Sequence, residues 1–457
     1  MGKTKQARRS IRFNHVARLL FVLLVLVFPL PGYQVLLDLG FDPVHVEFAA
    51  LVWYISDTVV VLFLVAVAVW AWQQQPFERD FVPAVAIPLA LLALLALFSA
   101  IWAVVPPLAT YTAIRLIVLW LLYMAVVALR PASRVVQMSL ATGLIVQASV
   151  AVLQFVYQHD LGLHFLGELE LAATRNFTSV ISAGGRNWLR AYGLTPHPNI
   201  LGGTLAAFLL ALIPLYLQRH QPVWLAMLLL GASGLILTFS RSAWLGTAIG
   251  GGVFLLGIWH NREWREAYGR LLLLPAVAAL LLLLVFVLVQ RDLFIGRLAP
   301  SNSYVESRSL DERLALTRIS LYLLRQYPPL LGMGAGNFSV VVEWLDQDVK
   351  AGLINQAELA SQPVHNVPLL LTNELGLAGG ALWLWLEMAP PVIAWRRYRS
   401  GQLSLWAWGL TAALLVLAVT DLLDFYSWGW AQGRLLRWLC LALWSSAVGD
   451  RRLGIGD

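Results

Sequence analysis

Charged residues are scarce in this chain of 457 residues: they make up 12% of it, whereas soluble domains contain about 25%. Hydrophobic residues make up 59%, and the mean hydropathy is +0.72. Apolar runs of about 20 residues recur, and each is long enough to cross the ~30 Å hydrocarbon core of a bilayer. This composition excludes a soluble enzyme, a disordered chain and a fibrous repeat. Because backbone polar groups in lipid must be satisfied within their own segment, we predict an all-α polytopic membrane bundle.

Cysteine and lysine are also rare. The single cysteine, Cys440, excludes disulfides within the chain and a cysteine-rich metal site. Only three of the 32 basic residues are lysines, and the other 29 are arginines. The planar donor fork of arginine suits phosphate binding, but anchoring at the cytoplasmic face explains basic residues equally well. Position must therefore decide which arginines have a functional role.

Twelve apolar segments are candidate membrane spans, with approximate limits 16–31, 48–72, 81–103, 108–129, 135–158, 197–217, 222–239, 242–259, 271–289, 364–393, 403–422 and 430–447. With the N-terminus inside, 18 Lys and Arg residues fall in cytoplasmic segments and three in short outer ones. Lys and Arg concentrate in the cytoplasmic loops of membrane proteins. We therefore expect both termini to be cytoplasmic.

The spans and two long loops divide the chain into five parts. Helices 1–5 are predicted in residues 1–158, an outer loop in 159–196, helices 6–9 in 197–289, a long outer loop in 290–363 and helices 10–12 in 364–457. Loops of this length are usually functional or disordered, and we expect the second to contain an amphipathic helix.

The predicted amphipathic helix begins at Ser309, which has capping-box spacing with Glu312. Its mostly apolar stripe consists of Leu310, Leu314, Thr317, Leu321 and Leu324. Arg313 lies on one flank of this stripe, and Arg318 and Arg325 lie on the other. A helix that lies on the outer membrane face or docks on the bundle fits this pattern.

The first polar segment at an outer span end runs from Arg190 to Asn199. Pro196 and Pro198 prevent an early helix start, so His197 is expected in an extended stretch at the membrane surface. Arginine, histidine and asparagine side chains at such a position can form hydrogen bonds with a ligand. For Asn199, a simple role as the cap of the next helix is an alternative.

The second polar segment is a tight turn between two spans. Its only charge is Arg241, which lies between two serines and is held at the outer interface, against the inside-positive trend. A side chain that merely reaches the lipid headgroups is the alternative explanation.

The third polar segment opens the tenth span with His365 and Asn366. In a continuous helix, Gly376 would lie on the same face as His365, and Glu374 would lie opposite. A face of small residues lets another helix or a ligand chain approach closely. Capping of the tenth helix is an alternative role for the histidine.

Ionisable residues within the predicted spans are functional candidates by default. They are Asp57, Arg115, Glu374, Asp421 and Arg434, and each is predicted near the outer end of its span. Ion pairing that holds the bundle together explains several of them equally well. We take Arg115 as a candidate binding residue and leave the roles of the other four open.

Two of these segments carry spaced motifs. His365-Asn366 is followed after nine residues by Gly376-x-x-Gly379, which is similar to the pattern His-Asn-x9-Gly-x-x-Gly of O-antigen ligases. Arg241, preceded by serine and followed four residues later by leucine, is similar to the arginine motif after the central spans of the same family.

The long outer loop adds a third element. Asp311-Glu312-Arg313, the later proline pair and the glycine-rich segment after it are similar to the periplasmic loop of that family. Over about residues 190–390, the chain thus resembles the O-antigen ligase and O-antigen polymerase family of bacterial envelope glycosyltransferases. The resemblance implies a GT-C-like helical enzyme in the bacterial inner membrane, with its active site facing the periplasm.

The resemblance further implies transfer of a glycan from undecaprenyl diphosphate to a hydroxyl group on a glycan, lipid or protein. Membrane lipids are expected partners, and no metal, cofactor or nucleic acid is expected. A histidine base would activate the acceptor, and arginine would stabilise charge that develops on the diphosphate. The candidate catalytic residues are His365, Arg241 and Arg313, and the candidate substrate-binding residues are Arg190, His197, Asn199, Arg115 and Asn366.

Other functions remain open from sequence. A polymerase of the same family would extend a polymer instead of ending it on an acceptor. A transporter or lipid flippase is compatible with twelve spans, although paired repeats and polar residues near the midplane would be expected of it. A non-catalytic scaffold would leave the arginines and the histidine without a role.

Overall fold

Helices make up most of the computed structural model, which describes residues 2–40, 47–73, 81–175, 178–298, 304–353 and 362–449. The first nine helices are α1 (Gly2–Val27), α2 (Ile55–Gln73), α3 (Pro83–Ser99), α4 (Pro106–Leu129), α5 (Ser133–Tyr157), α6 (Pro198–Arg219), α7 (Pro222–Leu237), α8 (Arg241–His260) and α9 (Arg262–Tyr268). The next nine are α10 (Leu273–Val289), α11 (Arg291–Leu298), α12 (Tyr304–Gln326), α13 (Phe338–Trp344), α14 (Gln347–Leu353), α15 (Val367–Arg399), α16 (Leu405–Asp421), α17 (Tyr426–Gly429) and α18 (Ala431–Gly449). Each of the twelve predicted apolar segments overlaps one of these helices.

Within the described residues, six helices are long and apolar enough to cross a membrane, namely α2, α4, α5, α6, α8 and α15. The consecutive helices α9 and α10 would form a seventh span, bent by 67°. Shorter apolar helices lie at Phe13–Val27 and in α3, α7 and α16. The helical membrane class is therefore supported, while the count of about twelve spans stays a prediction.

The centre of the bundle lies around α6 and α16. Almost every residue of α6 is buried, and α16 packs along both α6 and α8. The contact between α8 and α16 is close because Gly250 lacks a side chain: a Cβ there would lie 2.6 Å from the Ala412 carbonyl oxygen. By contrast, α10 is apolar and none of its residues is buried, which is typical of a helix that faces lipid.

Two small antiparallel sheets correct the all-α prediction. Strand β1 (Tyr33–Asp38) pairs with β2 (Ala50–Tyr54), and β3 (Val180–Ala183) pairs with β4 (Arg186–Leu189). The predicted span 48–72 is therefore wrong in its first part, because a strand precedes the helix. Val, Trp and Tyr favour strands, and hydropathy alone does not distinguish a paired apolar strand from the start of a span.

Two helices differ in detail from the predictions. Because α12 already begins at Tyr304, Ser309 lies within the helix and does not cap it. The predicted continuous helix over 364–393 is also wrong. The helix α15 is broken at Gly376, whose φ of 71° and ψ of −173° are not helical.

The apolar stripe predicted for α12 is not the buried one. Leu314 and Leu321 are exposed, whereas Leu316, Ile319 and Leu323 are buried. This helix has leucine or isoleucine on several sides, so its pattern does not fix which side packs. Docking against the rest of the bundle selects the buried face.

Candidate active site

The loop between α16 and α17, residues 422–425, joins several predicted site residues. Asn366 donates from Nδ2 to the Leu422 carbonyl oxygen at 3.1 Å. Arg313 donates from Nη1 to the Leu423 carbonyl oxygen at 3.0 Å. Asn366 also caps α15, because its Oδ1 accepts a backbone N–H of the first turn. The 422–425 loop therefore ties the start of α15 to α12.

Asp424 is buried in the same loop and begins a chain of hydrogen bonds. Its Oδ2 accepts the Asn199 amide at 2.6 Å, and its Oδ1 accepts the Phe425 backbone N–H at 2.8 Å. Asn199 in turn accepts Arg190 Nη2 at 2.7 Å. Arg190 Nε donates to the Thr238 carbonyl oxygen at 2.8 Å. This buried relay connects the turn before α8 with the 422–425 loop.

The charge of Asp424 is set by two opposing effects. Burial raises the pKa of this carboxyl group, whereas the nearby Arg313 acts in the opposite direction, as does the hydrogen bond from Asn199. Arg190 and Asn199 are also buried. In this structure their side chains hold the loop in position.

His197 caps α6 and lies beside the relay. It has extended backbone angles, with φ −154° and ψ 142°, as predicted from the flanking prolines. Its Nδ1 accepts the Asn199 backbone N–H at 3.1 Å, and its Nε2 lies 3.2 Å from the Ser179 hydroxyl oxygen. The cap of α6 is therefore His197, and the alternative that Asn199 caps this helix is wrong.

His365 packs edge-on against the Phe425 ring, with ring centroids 4.9 Å apart. Its Nδ1 is buried and has no hydrogen-bond partner among the described residues. Burial lowers the pKa of His365 well below 6.5, and the positive charges of Arg313 and His197 lower it further. A general base must be unprotonated to accept a proton, and both effects favour the neutral imidazole.

Arg241 is the first residue of α8 and follows a strained turn. Phe239 in that turn has a φ of 49°, which is uncommon for a residue other than glycine. The Phe239 carbonyl oxygen accepts Nε of buried Arg297 at 2.8 Å, and the Arg297 carbonyl oxygen lies 3.4 Å from Arg241 Nη1. Together with Arg190, which binds Thr238, three arginines surround this turn.

The structure does not bring Arg115 to this cluster. Its two terminal nitrogens donate to the two Asp57 carboxylate oxygens at 2.8 and 2.9 Å. Arg115 also donates to the Tyr111 hydroxyl at 2.9 Å and lies over the Tyr54 ring. This geometry favours the alternative role for Arg115, an ion pair that holds the bundle together.

The break in α15 receives the glycine-rich segment after α12. Because the helix is interrupted at Gly376, the carbonyl oxygens of Asn373 and Glu374 are available. They accept the backbone N–H groups of Met333 and Gly334 at 2.9 and 2.8 Å. The second part of the His-Asn-x9-Gly-x-x-Gly pattern is thus a docking point for the loop that follows α12.

Glu374 completes this docking through its side chain. Its carboxylate accepts the backbone N–H of Gly336 at 2.8 Å, that of Phe338 at 3.4 Å and the indole N–H of Trp428 at 2.8 Å. A buried carboxylate needs several donors, and these contacts supply them. Glu374 therefore orients the start of α13, a role that the sequence did not predict.

Substitution of Gly376 with alanine is expected to destabilise the protein. A Cβ at this position would overlap the Leu330 carbonyl group. The backbone angles, φ 71° and ψ −173°, lie in a region that is essentially restricted to glycine, which costs a residue with a side chain about 1–3 kcal/mol. The apparent melting temperature in detergent should fall. As the matched control, Gly252→Ala in α8 meets no atom within 4 Å and should leave it unchanged or higher. Equal melting temperatures for the two variants would contradict this account.

Two residues of this site, Asp424 and Arg297, are not predicted from the sequence. Asp424 is not among the candidates predicted from sequence, and its position three residues beyond Asp421, at the end of a predicted span, was the available signal. Arg297 lies in a long polar stretch in which nothing in the sequence distinguishes it. Among the described residues, no group of three or more His, Cys, Asp or Glu is placed to hold a metal ion.

Residues 224–384 match the sequence model of a protein family described as O-antigen ligase. The chain carries an O-antigen ligase domain. This match confirms the family predicted from the motifs and indicates a membrane-embedded enzyme that acts on glycans. The O-antigen ligase domain includes the three predicted catalytic residues, whereas Asp424 lies beyond it. No curated protein matches the chain.

Proposed function

We propose that the chain is a membrane glycosyltransferase that transfers a glycan from undecaprenyl diphosphate to a hydroxyl acceptor. The observation that carries the proposal is that His365 and Arg313 both contact the 422–425 loop. The O-antigen ligase domain supports this type of reaction.

In the proposed reaction, His365 accepts the proton of the acceptor hydroxyl group as its oxygen bonds to the anomeric carbon of the donor sugar. The bond between that carbon and the diphosphate oxygen breaks, and the electron pair leaves with the diphosphate. Arg241 and Arg313 stabilise the negative charge that develops there. Guanidinium groups suit this task because they bind phosphate oxygens through paired hydrogen bonds.

The hydrogen-bonded relay gives the two arginines a fixed frame. Arg190, Asn199 and Asp424 connect the turn before Arg241 to the loop that holds Arg313. The relay therefore restricts the movement of the turn before α8 relative to the 422–425 loop. Such positioning lowers the entropic cost of assembling the transition state.

The deciding experiment is to incubate purified protein with undecaprenyl-diphosphate glycan and candidate acceptors. A ligase would move the glycan to a separate lipid, glycan or protein hydroxyl group. A polymerase would lengthen the glycan on the lipid carrier. The absence of any covalent product, together with movement of the donor across a bilayer, would favour a flippase and refute the proposal.

We also propose that the active site faces the periplasm and that both termini are cytoplasmic, as the charge count predicts. Asp311 and Gln402 are exposed, while the native Cys440 is buried. In a Cys440→Ser background, Asp311→Cys should react with an impermeant thiol reagent on intact spheroplasts. Gln402→Cys should react only after lysis. The reverse pattern would overturn the proposed topology.

A further inference from the structure

A largely apolar groove of about 220 Å³ lies between α2, α4 and α18, bordered by β1 and β2. Its walls include Val61 and Ile114, which are exposed on helices long enough to span a membrane. Exposed apolar side chains on such helices face hydrocarbon rather than water. The groove is therefore open to lipid chains.

Three charged residues line this groove: Asp57, Arg115 and Arg434. Asp57 and Arg115 neutralise each other through a bidentate ion pair. Arg434 is buried, with an exposed fraction of 9%. Its Nε is buried and has no hydrogen-bond partner within the described part of the chain.

Arg434 also lines a separate, smaller cavity, together with the carboxylates of Glu47 and Glu374. Neither forms an ion pair with Arg434, and the Glu374 carboxylate is already engaged by three N–H donors. In the larger groove, the Asp57 carboxylate pairs with Arg115, and no lining carboxylate pairs with Arg434. Arginine does not lose its proton in proteins, and an unpaired buried charge is costly.

We propose that this groove binds a membrane phospholipid, with the lipid phosphate at Arg434 and an acyl chain along Val61 and Ile114. A lipid phosphate would complement the charge of Arg434, and the apolar walls of the groove suit an anion that carries a hydrocarbon chain. The groove shares no lining residue with the 422–425 loop. The proposed lipid site is therefore separate from the glycan-transfer site, and neither proposal depends on the other.

The test is native mass spectrometry of detergent-purified protein titrated with dioleoyl phosphatidylglycerol. Loss of a charged hydrogen bond should weaken binding by about 10-fold or more in Arg434→Gln, and Arg434→Lys should recover part of the affinity. The matched control, Arg325→Gln, removes an exposed arginine and should bind as the native protein does. Dioleoylglycerol, which lacks the phosphate, should not compete.

A second variant tests the path of the hydrocarbon chain. Ile114→Trp fills the groove, leaves every charge in place and alters an exposed position, so it keeps the test decisive if Arg434→Gln fails to fold. It should weaken phosphatidylglycerol binding about as much as Arg434→Gln. Unchanged binding in a folded Arg434→Gln protein or in Ile114→Trp would overturn the proposal. Preferential binding of undecaprenyl phosphate over phosphatidylglycerol would overturn the assignment to a membrane phospholipid.

Discussion

Replacement of His365 with alanine should reduce glycan transfer by a factor of about 10²–10⁴, the usual contribution of a positioned acid or base. The imidazole packs on the Phe425 ring beside Arg313, and its Nδ1 makes no hydrogen bond within the described residues. The measurement is the transfer rate at saturating donor and acceptor. Protein levels in the membrane should remain normal.

His260→Ala supplies the control for a change of histidine to alanine, because His260 is exposed at the end of α8. Its transfer rate should match that of the native protein. Near-normal turnover of the His365→Ala variant would remove His365 from the mechanism. Loss of activity together with loss of donor binding would indicate a binding role instead.

The pH dependence offers an independent test of the same residue. Because burial and the neighbouring Arg313 lower the pKa of His365 well below 6.5, its protonated form becomes populated only at a lower pH than that of a free imidazole. Activity should therefore persist to a lower pH than a base with an ordinary histidine pKa would allow. In Arg313→Gln the pKa of His365 should rise, so the residual activity should decline at a higher pH. Identical profiles would contradict the proposed coupling.

Arg241→Lys and Arg313→Lys should each be strongly impaired in transfer. Lysine keeps the charge but loses the planar fork that matches phosphate oxygens. A lost charged hydrogen bond is worth about 1.5–3 kcal/mol, which corresponds to roughly 10- to 150-fold in rate if the contact is made only in the transition state. The measurement is the transfer rate at saturating acceptor, with membrane levels as a check on folding.

Arg318→Lys and Arg325→Lys are the matched controls, because both arginines are exposed on the same helix as Arg313. They should retain nearly native rates. The structure separates these positions clearly: the guanidinium group of Arg313 binds the 422–425 loop. Sensitivity of the two controls, together with tolerance of lysine at Arg241 and Arg313, would place the diphosphate elsewhere.

Sequence alone located most of the helices and the histidine motif. Hydropathy predicted every long apolar helix because burial in lipid demands nearly continuous apolar residues. The prolines around His197 correctly predicted an extended entry into α6, since proline fixes its own φ and removes a backbone donor. These features depend on neighbouring residues in the chain, and so they can be read from local sequence.

Only the tertiary structure decided how the polar residues combine. Arg115 pairs with Asp57, and Asp424 joins Asn199 to the 422–425 loop, through contacts between residues more than 50 positions apart. At the helix break, Gly376 lies against the Leu330 carbonyl group, and the Leu377 backbone N–H donates to the Pro329 carbonyl oxygen at 2.8 Å. Similarly, α12 has apolar residues on more than one side, and docking selected the face that carries Leu316. Sequence determined which chemical groups are present, while long-range packing determined which of them meet, because partner choice depends on distances that local patterns do not encode.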